Sequence, residues 1–218
     1  MNRKDLEKHY LENREEIESR LKEFIGLRKA SDERLFQELS FVIFSSQSSA
    51  ENSWNAAQRL GEKGLLEKDK ESIAKVLRQK EIQYEERKAD YIITNREKLS
   101  QPTFNDPSTD LKLKEKIRPE NLEKTRKWFT ETIKGLSWKG ASHFLRNIGY
   151  GDSFAIFSSH TTSILFDLDV IKASEPPRNE EEYLEMEENV QEFSKEIDID
   201  IQALDLVLWS MRTGEVFK

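Results

Sequence analysis

Apolar residues return every three to four positions through most of the chain, the spacing of helices. In residues 3–25 they are Leu6, Tyr10, Leu11, Ile17, Leu21, Phe24 and Ile25. Asp32 or Ser31 can cap the next helix, with Leu35, Phe36, Leu39, Val42 and Ile43 on its apolar side. The polar patch Ser45-Ser46-Gln47-Ser48-Ser49 interrupts the pattern. Ser48 with Glu51 fits a capping box for a helix through Trp54, Ala57 and Leu60, ended by Gly61 and Gly64. Helices fit 70–79 and 84–99, and Pro102 and Pro107 bracket a polar loop. A helix over 119–133 would carry Pro119 in its first turn. A hairpin at 134–138, a helix over 139–148 and a stop at Gly149-Tyr150-Gly151 come next. Helices then fit Ser159 to Phe166, 179–196 and 200–212, with a break at Glu175-Pro176-Pro177. The expected fold is all-α, without internal repeats and without a linker long enough to part independent domains.

Composition narrows the chemistry. The chain has no cysteine, which rules out disulfides, thiolate zinc sites and an iron–sulfur cluster. His9, His143 and His160 are scattered, so no metal site and no cofactor are expected. No apolar run is long enough to span a membrane. The charged N-terminal segment has no apolar core like that of a signal peptide, so the cytoplasm is the expected compartment. The net charge of -7 argues by itself against a nucleic-acid partner, but it is unevenly spread. Residues 112–146 hold ten Lys/Arg against four acids, a net +6. Residues 175–200 hold eleven acids against Arg178 and Lys195, a net -9. Two readings stand on charge alone: a basic stripe for a DNA backbone, or two solvated helix faces.

The segment Thr130 to Tyr150 sharpens the choice. Two helices joined by a glycine-containing hairpin aim backbone N–H groups at a helix N-terminus, where a phosphate can be held without reading sequence. Lys139 lies in the first turn of the second helix. The helix dipole there works against a protonated amine, and a neutral amine is what attack on a sugar C1′ requires. The other reading of Lys139 is a surface lysine on a phosphate.

The run Lys134-Gly135-Leu136-Ser137-Trp138-Lys139-Gly140-Ala141-Ser142-His143-Phe144-Leu145-Arg146-Asn147 resembles the helix-hairpin-helix of the type-2 8-oxoguanine DNA glycosylase/lyases, whose core reads close to KGIGYKEASHFLRN. The likeness extends to Phe41–Leu60 and Leu204–Lys218. It implies one glycosylase-like unit over 1–218: a two-lobed all-helical fold with a DNA cleft between the lobes. The N-terminal helix and about 152–218 form one lobe, about 32–117 the other, and 119–150 the helix-hairpin-helix. It also implies DNA repair by base excision. The partner is double-stranded DNA with a damaged base or abasic site, bound by a monomer in the nucleoid. Lys139 is the implied nucleophile, and the strand is nicked by β-elimination. Lys134, Gly135, Ser137, Gly140 and Arg146 are the implied DNA contacts of the hairpin region. Gln47 is similar to the residue that fills the stack where the base leaves, although its turn can equally be a helix cap. Trp209 and the terminal carboxylate of Lys218 match the family's base pocket; for Trp209, core burial is the alternative. His143 reads as a residue of the interior or of the phosphate side.

The chain departs from the family at three places. Aligned on His160, the family's aspartate is Ser158, which caps a helix but offers no charge to the developing cation on the sugar. The second hairpin glycine is Ser137, which would cost roughly 1 kcal/mol if that position needs positive φ. The glutamate after the lysine is Gly140. The resulting alternative is a lesion- or abasic-site-binding protein with weak or lyase-only activity.

Overall fold

The computed structural model describes residues 2–102, 108 and 110–218, so Pro107 lies outside the described residues. Among them are ten α-helices: α1 (Arg3–Gly26), α2 (Asp32–Ser45), α3 (Ala50–Glu62), α4 (Lys70–Gln79), α5 (Glu85–Leu99), α6 (Leu122–Thr132), α7 (Trp138–Asn147), α8 (Ser159–Asp167), α9 (Glu180–Glu196) and α10 (Ile201–Thr213). No strand occurs among the described residues. No helix among them is long and apolar enough to cross a membrane. The chain divides into two units, residues 1–28 with 145–218 and residues 29–144, and the division falls inside α7.

In the first unit α1, α8 and α9 each lie against α10. Ile201, Ala203, Leu204, Leu206, Val207 and Leu208 are all buried, as expected of a central helix rather than a one-faced surface helix. Each buried leucine there contributes about 2 kcal/mol of apolar transfer. α1 is different. Leu6, Ile17 and Phe24 form a narrow buried stripe, while Leu11 is 66% exposed and Ile25 46% exposed, contrary to the wider face its sequence suggests. Asn2 and Asp5 close a capping box at its start. After α7 the chain turns at Gly149, whose φ is +85°. A Cβ there would sit 2.8 Å from the Ile25 Cα and the Phe24 carbonyl oxygen, so only glycine lets the turn approach α1. Arg28 donates from Nε to the Gly149 carbonyl at 2.6 Å and stacks over Tyr150.

In the second unit α2 lies against α3 and α5, and α4 against α3 and α5. The C-terminal half of α2, Leu39 to Phe44, is buried throughout. Phe41 meets Trp54 and His143 edge-to-face, each at 5.6 Å between ring centroids. Phe129 and Phe144 tie α6 to α7 at 5.1 Å.

Three local expectations are corrected. Ser49, not Ser48, caps α3, its hydroxyl accepting from Asn52 N; the Ser48 hydroxyl instead accepts from Gln83 N at 2.9 Å. α6 begins at Leu122 rather than 119, because Asn121 caps it by accepting from Lys124 N at 3.0 Å. Pro119 sits in the preceding turn, closed by Asn121 N donating to the Arg118 carbonyl. Three of the ten cations in 112–146 (Lys112, Arg126 and Arg146) are buried, so the basic stripe is thinner than its sequence count.

Candidate active site

The hairpin between α6 and α7 is made by Gly135, at φ +80°. The aromatic ring of Tyr91 lies so close that a Cβ on Gly135 would be 2.4 Å from it. Tyr91 is itself held by Arg87, whose Nε donates to the phenol oxygen at 2.7 Å. Asn95, fully buried, reads the hairpin backbone with both ends of its amide. Its Oδ1 accepts from Lys134 N at 2.8 Å and its Nδ2 donates to the Lys134 carbonyl at 3.0 Å. The hairpin is thereby fixed to α5 by ring contact and two hydrogen bonds.

Ser137 is not among the described residues with positive φ. Its hydroxyl accepts from Gly140 N at 3.2 Å and its carbonyl accepts from Ala141 N at 2.8 Å. Serine here is thus the N-cap of α7, worth about 1 kcal/mol, and the strain that replacing glycine would bring is absent. Lys139 follows in the first turn with an exposed side chain, at the positive pole of the helix. Arg126 is buried beneath this turn, its guanidinium 4.8 Å from the Trp138 ring centroid and its Nη1 donating to the Ser142 hydroxyl. A Cβ on Gly140 would meet the Leu136 side chain at 2.9 Å, so the lost glutamate leaves room that Leu136 uses. Lys134 is exposed. His143 is buried against Phe41.

Arg146 departs from its expected role as a DNA contact. It is 2% exposed, pairs with Asp205 at 3.0 Å and stacks over Phe24.

The Gln47 turn joins α2 to α3. Gln47 is exposed and sits at φ +56°, a left-handed conformation that a non-glycine residue adopts at some cost. Lys88 of α5 clamps this turn. Its Nζ donates to the Phe44 carbonyl at 2.8 Å, to the Ser46 carbonyl at 2.6 Å and to the Ser48 hydroxyl at 3.2 Å. Burial pushes the Lys88 amine down to about 8. Sequence reasoning missed Lys88 and Asn95. The signal lay in α5's own spacing: Lys88, Ile92, Asn95 and Leu99 recur at helical intervals on one buried stripe, so two polar residues stand where apolar ones are expected.

In the first unit, residues 153–157 lead to Ser158 and are held from α9. Tyr183 donates its hydroxyl to the Ala155 carbonyl at 2.6 Å, the Glu187 carboxylate accepts from Ala155 N at 2.8 Å, and Gln191 donates to the Ser153 carbonyl at 2.7 Å. The acidic helix therefore has a structural face beside its solvated one. Ser158 is half-buried and caps α8 in a reciprocal box with Thr161. Asp152, the nearest preceding acid, accepts from Gln202 Nε2 at 2.9 Å and lies 3.7 Å from Arg28. Asp167 and Asp169 fall at the far end of α8. Trp209 is partly buried on α10 and meets His160 edge-to-face at 5.7 Å, while Lys218, partly buried, ends the tail beyond Gly214.

The sequence pattern of the 8-oxoguanine DNA glycosylase family matches residues 17–199. An 8-oxoguanine DNA glycosylase/AP lyase of Fusobacterium nucleatum is 33% identical over 216 residues, covering 98% of this chain and 96% of that protein. The crystal structure of the Thermotoga maritima 8-oxoguanine DNA glycosylase superposes with a TM-score of 0.84 at 30% identity, covering 99% of this chain and 97% of that one. A Methanocaldococcus jannaschii 8-oxoguanine glycosylase/lyase, crystallised with a 15mer DNA containing 8-oxoguanine, gives 0.81 at 28% identity, covering 98% and 99%. A helix-hairpin-helix with a lysine in the first turn of its second helix, set in an all-helical chain that these proteins match nearly end to end, makes this protein a member of the 8-oxoguanine DNA glycosylase family.

Proposed function

We propose that this protein is a base-excision DNA glycosylase/AP lyase that removes 8-oxoguanine from duplex DNA, with Lys139 as nucleophile. The neutral amine of Lys139 attacks C1′, the C1′–N9 bond breaks, and the base leaves with the bonding electrons and takes up a proton. The C1′–O4′ bond then breaks, its electron pair going to O4′, which takes up a proton, while the lysine nitrogen forms a double bond to C1′; this open-chain Schiff base acidifies C2′, loss of that proton expels the 3′ phosphate, and water then releases the lysine. Gln47 fills the stack opposite the widowed base, and Trp209 lies against the flipped one. Lys134, Gly135, Ser137 and Gly140 form the phosphate-facing hairpin. One chain acts on one lesion duplex, in the cytoplasm where the chromosome lies.

The observation that carries this reading is the exposed Lys139 in the first turn of α7, directly after a hairpin held at Lys134 and Gly135 by α5. A lesion binder without turnover is the poorer reading, because glycosylase/lyases are the proteins that match this chain over nearly its full length. Borohydride trapping on 8-oxoguanine and abasic duplexes tests it. A covalent adduct is expected with the wild type and none with Lys139→Gln, which should still bind DNA. An adduct that persists in Lys139→Gln would remove the lysine from its role, and no adduct with the wild type would remove the enzyme.

A further inference from the structure

We propose that Lys88 is the positioning residue of the Gln47 turn, and that α5 holds this turn and the Lys139 hairpin as one frame. The proposal rests on the function proposed above for Gln47 and Lys139.

The C-terminal carbonyls of a helix lack intrahelical partners, and a glycine in the left-handed conformation commonly satisfies them. α2 ends without glycine. The Lys88 ammonium takes that place, at the end of a helix whose dipole favours a cation. An ammonium has three N–H donors, and Lys88 meets three oxygens. Two of them, on Phe44 and Ser46, precede Gln47 and one, on Ser48, follows it. The bonds therefore bracket the one residue of the turn with positive φ. Ser48 is fixed a second time, by Gln83 N.

The same helix carries Tyr91 and Asn95, three and seven residues on, which lie along one side of a helix with Lys88. Those two residues hold the hairpin, at Gly135 and Lys134. Two loops nearly ninety residues apart in sequence are thus attached to a single α5 stripe less than three turns long. A wedge that must enter the duplex while the base is held at the lysine needs such a fixed spacing, because ordering a loose turn during base extrusion adds its entropy to the barrier.

The consequence separates two activities. Base extrusion from a duplex needs the Gln47 turn; nicking at an abasic site in a single strand has no partner base to fill. Lys88→Met keeps the side-chain length and removes the donors. It should slow single-turnover excision from an 8-oxoguanine duplex by about tenfold or more, the scale of a lost charged hydrogen bond. Nicking of a single-stranded abasic oligonucleotide should stay within about twofold. In a Gln47→Ala background, Lys88→Met should add nothing on the duplex, since the two act through one turn. Ser48→Ala, which removes one of the three oxygens, should give the same pattern in milder form if Lys88→Met does not fold. Equal slowing on both substrates, full additivity with Gln47→Ala, or an unchanged duplex rate would overturn the proposal. Absence of any wild-type adduct or excision would instead overturn the proposed function. The clamp is then read from hydrogen exchange at the amides of residues 46–48 in the free protein. Faster exchange in Lys88→Met supports it, and unchanged exchange overturns it.

Discussion

Replacing Ser158 with aspartate isolates charge from fold. Ser158 accepts from Thr161 N at 3.2 Å through its hydroxyl, while its own backbone N–H donates to Thr161 Oγ1 at 2.8 Å. An aspartate carboxylate can take over the first bond, and the second involves only backbone of residue 158. Serine and aspartate are nearly equal N-caps, and a negative charge at a helix N-terminus adds about 0.3–1 kcal/mol. Stability should therefore hold or rise slightly. The reaction should respond far more. A preorganised group aimed at developing transition-state charge is worth about 10²–10³ in rate, or roughly 3–4 kcal/mol. Single-turnover excision of 8-oxoguanine, followed beside thermal unfolding, reads both quantities. Ser158→Asn is the control: it caps as well as aspartate but carries no charge, and should leave the rate where it is. An equal gain from asparagine would refute the electrostatic reasoning, and no gain from aspartate would show that residue 158 does not limit excision.

Other substitutions test the frame around the site. Asp205→Ala leaves the buried Arg146 without its carboxylate and should cost about 3–5 kcal/mol in denaturant unfolding, with much of the loss recovered in Arg146→Met/Asp205→Leu. Gly135→Ala should cost about 2–4 kcal/mol and reduce DNA binding, because it adds left-handed strain to a Cβ 2.4 Å from the Tyr91 ring; a loss under 1 kcal/mol would mean that Tyr91 does not fix the hairpin. Burial holds the Lys88 amine at about 8, below the 10.5 of an unfolded chain, so between these values the unfolded state binds the extra proton. Folding stability should accordingly gain from Lys88 as pH rises through that window, by about 3 kcal/mol at most, and the wild-type minus Lys88→Met difference in unfolding free energy against pH measures it.

What could be read from the chain was what depends on neighbours in sequence. The helices, the hairpin at Gly135 and the stop at Gly149 follow from periodicity and backbone conformation, and the structure places them within a few residues. Caps were less legible, because Ser48 and Ser49 are locally equivalent. Ser48 is drawn off by Gln83 N, a contact across 35 residues. Charge was the least legible. Arg146 belongs by sequence to a basic stripe, yet Asp205 and Phe24, both distant in sequence, take it into the interior. Lys88 and Asn95 show the converse: apart from the Ser48 hydroxyl, their partners are backbone atoms, which carry no sequence signature at all. At Ser137 only the backbone dihedral distinguishes a strained substitute for glycine from a helix cap.

Gln47 has a consequence for how such a protein can be improved. Selection for durability alone would place glycine at a left-handed position, saving about 1 kcal/mol. The chain instead keeps a long amide there, accepting a less comfortable backbone in exchange for a side chain that reaches outward. Gln47→Gly is thus a substitution that a stability screen would reward and a repair assay would reject. Thermostability engineering of this scaffold would act first on the residue proposed above as the wedge.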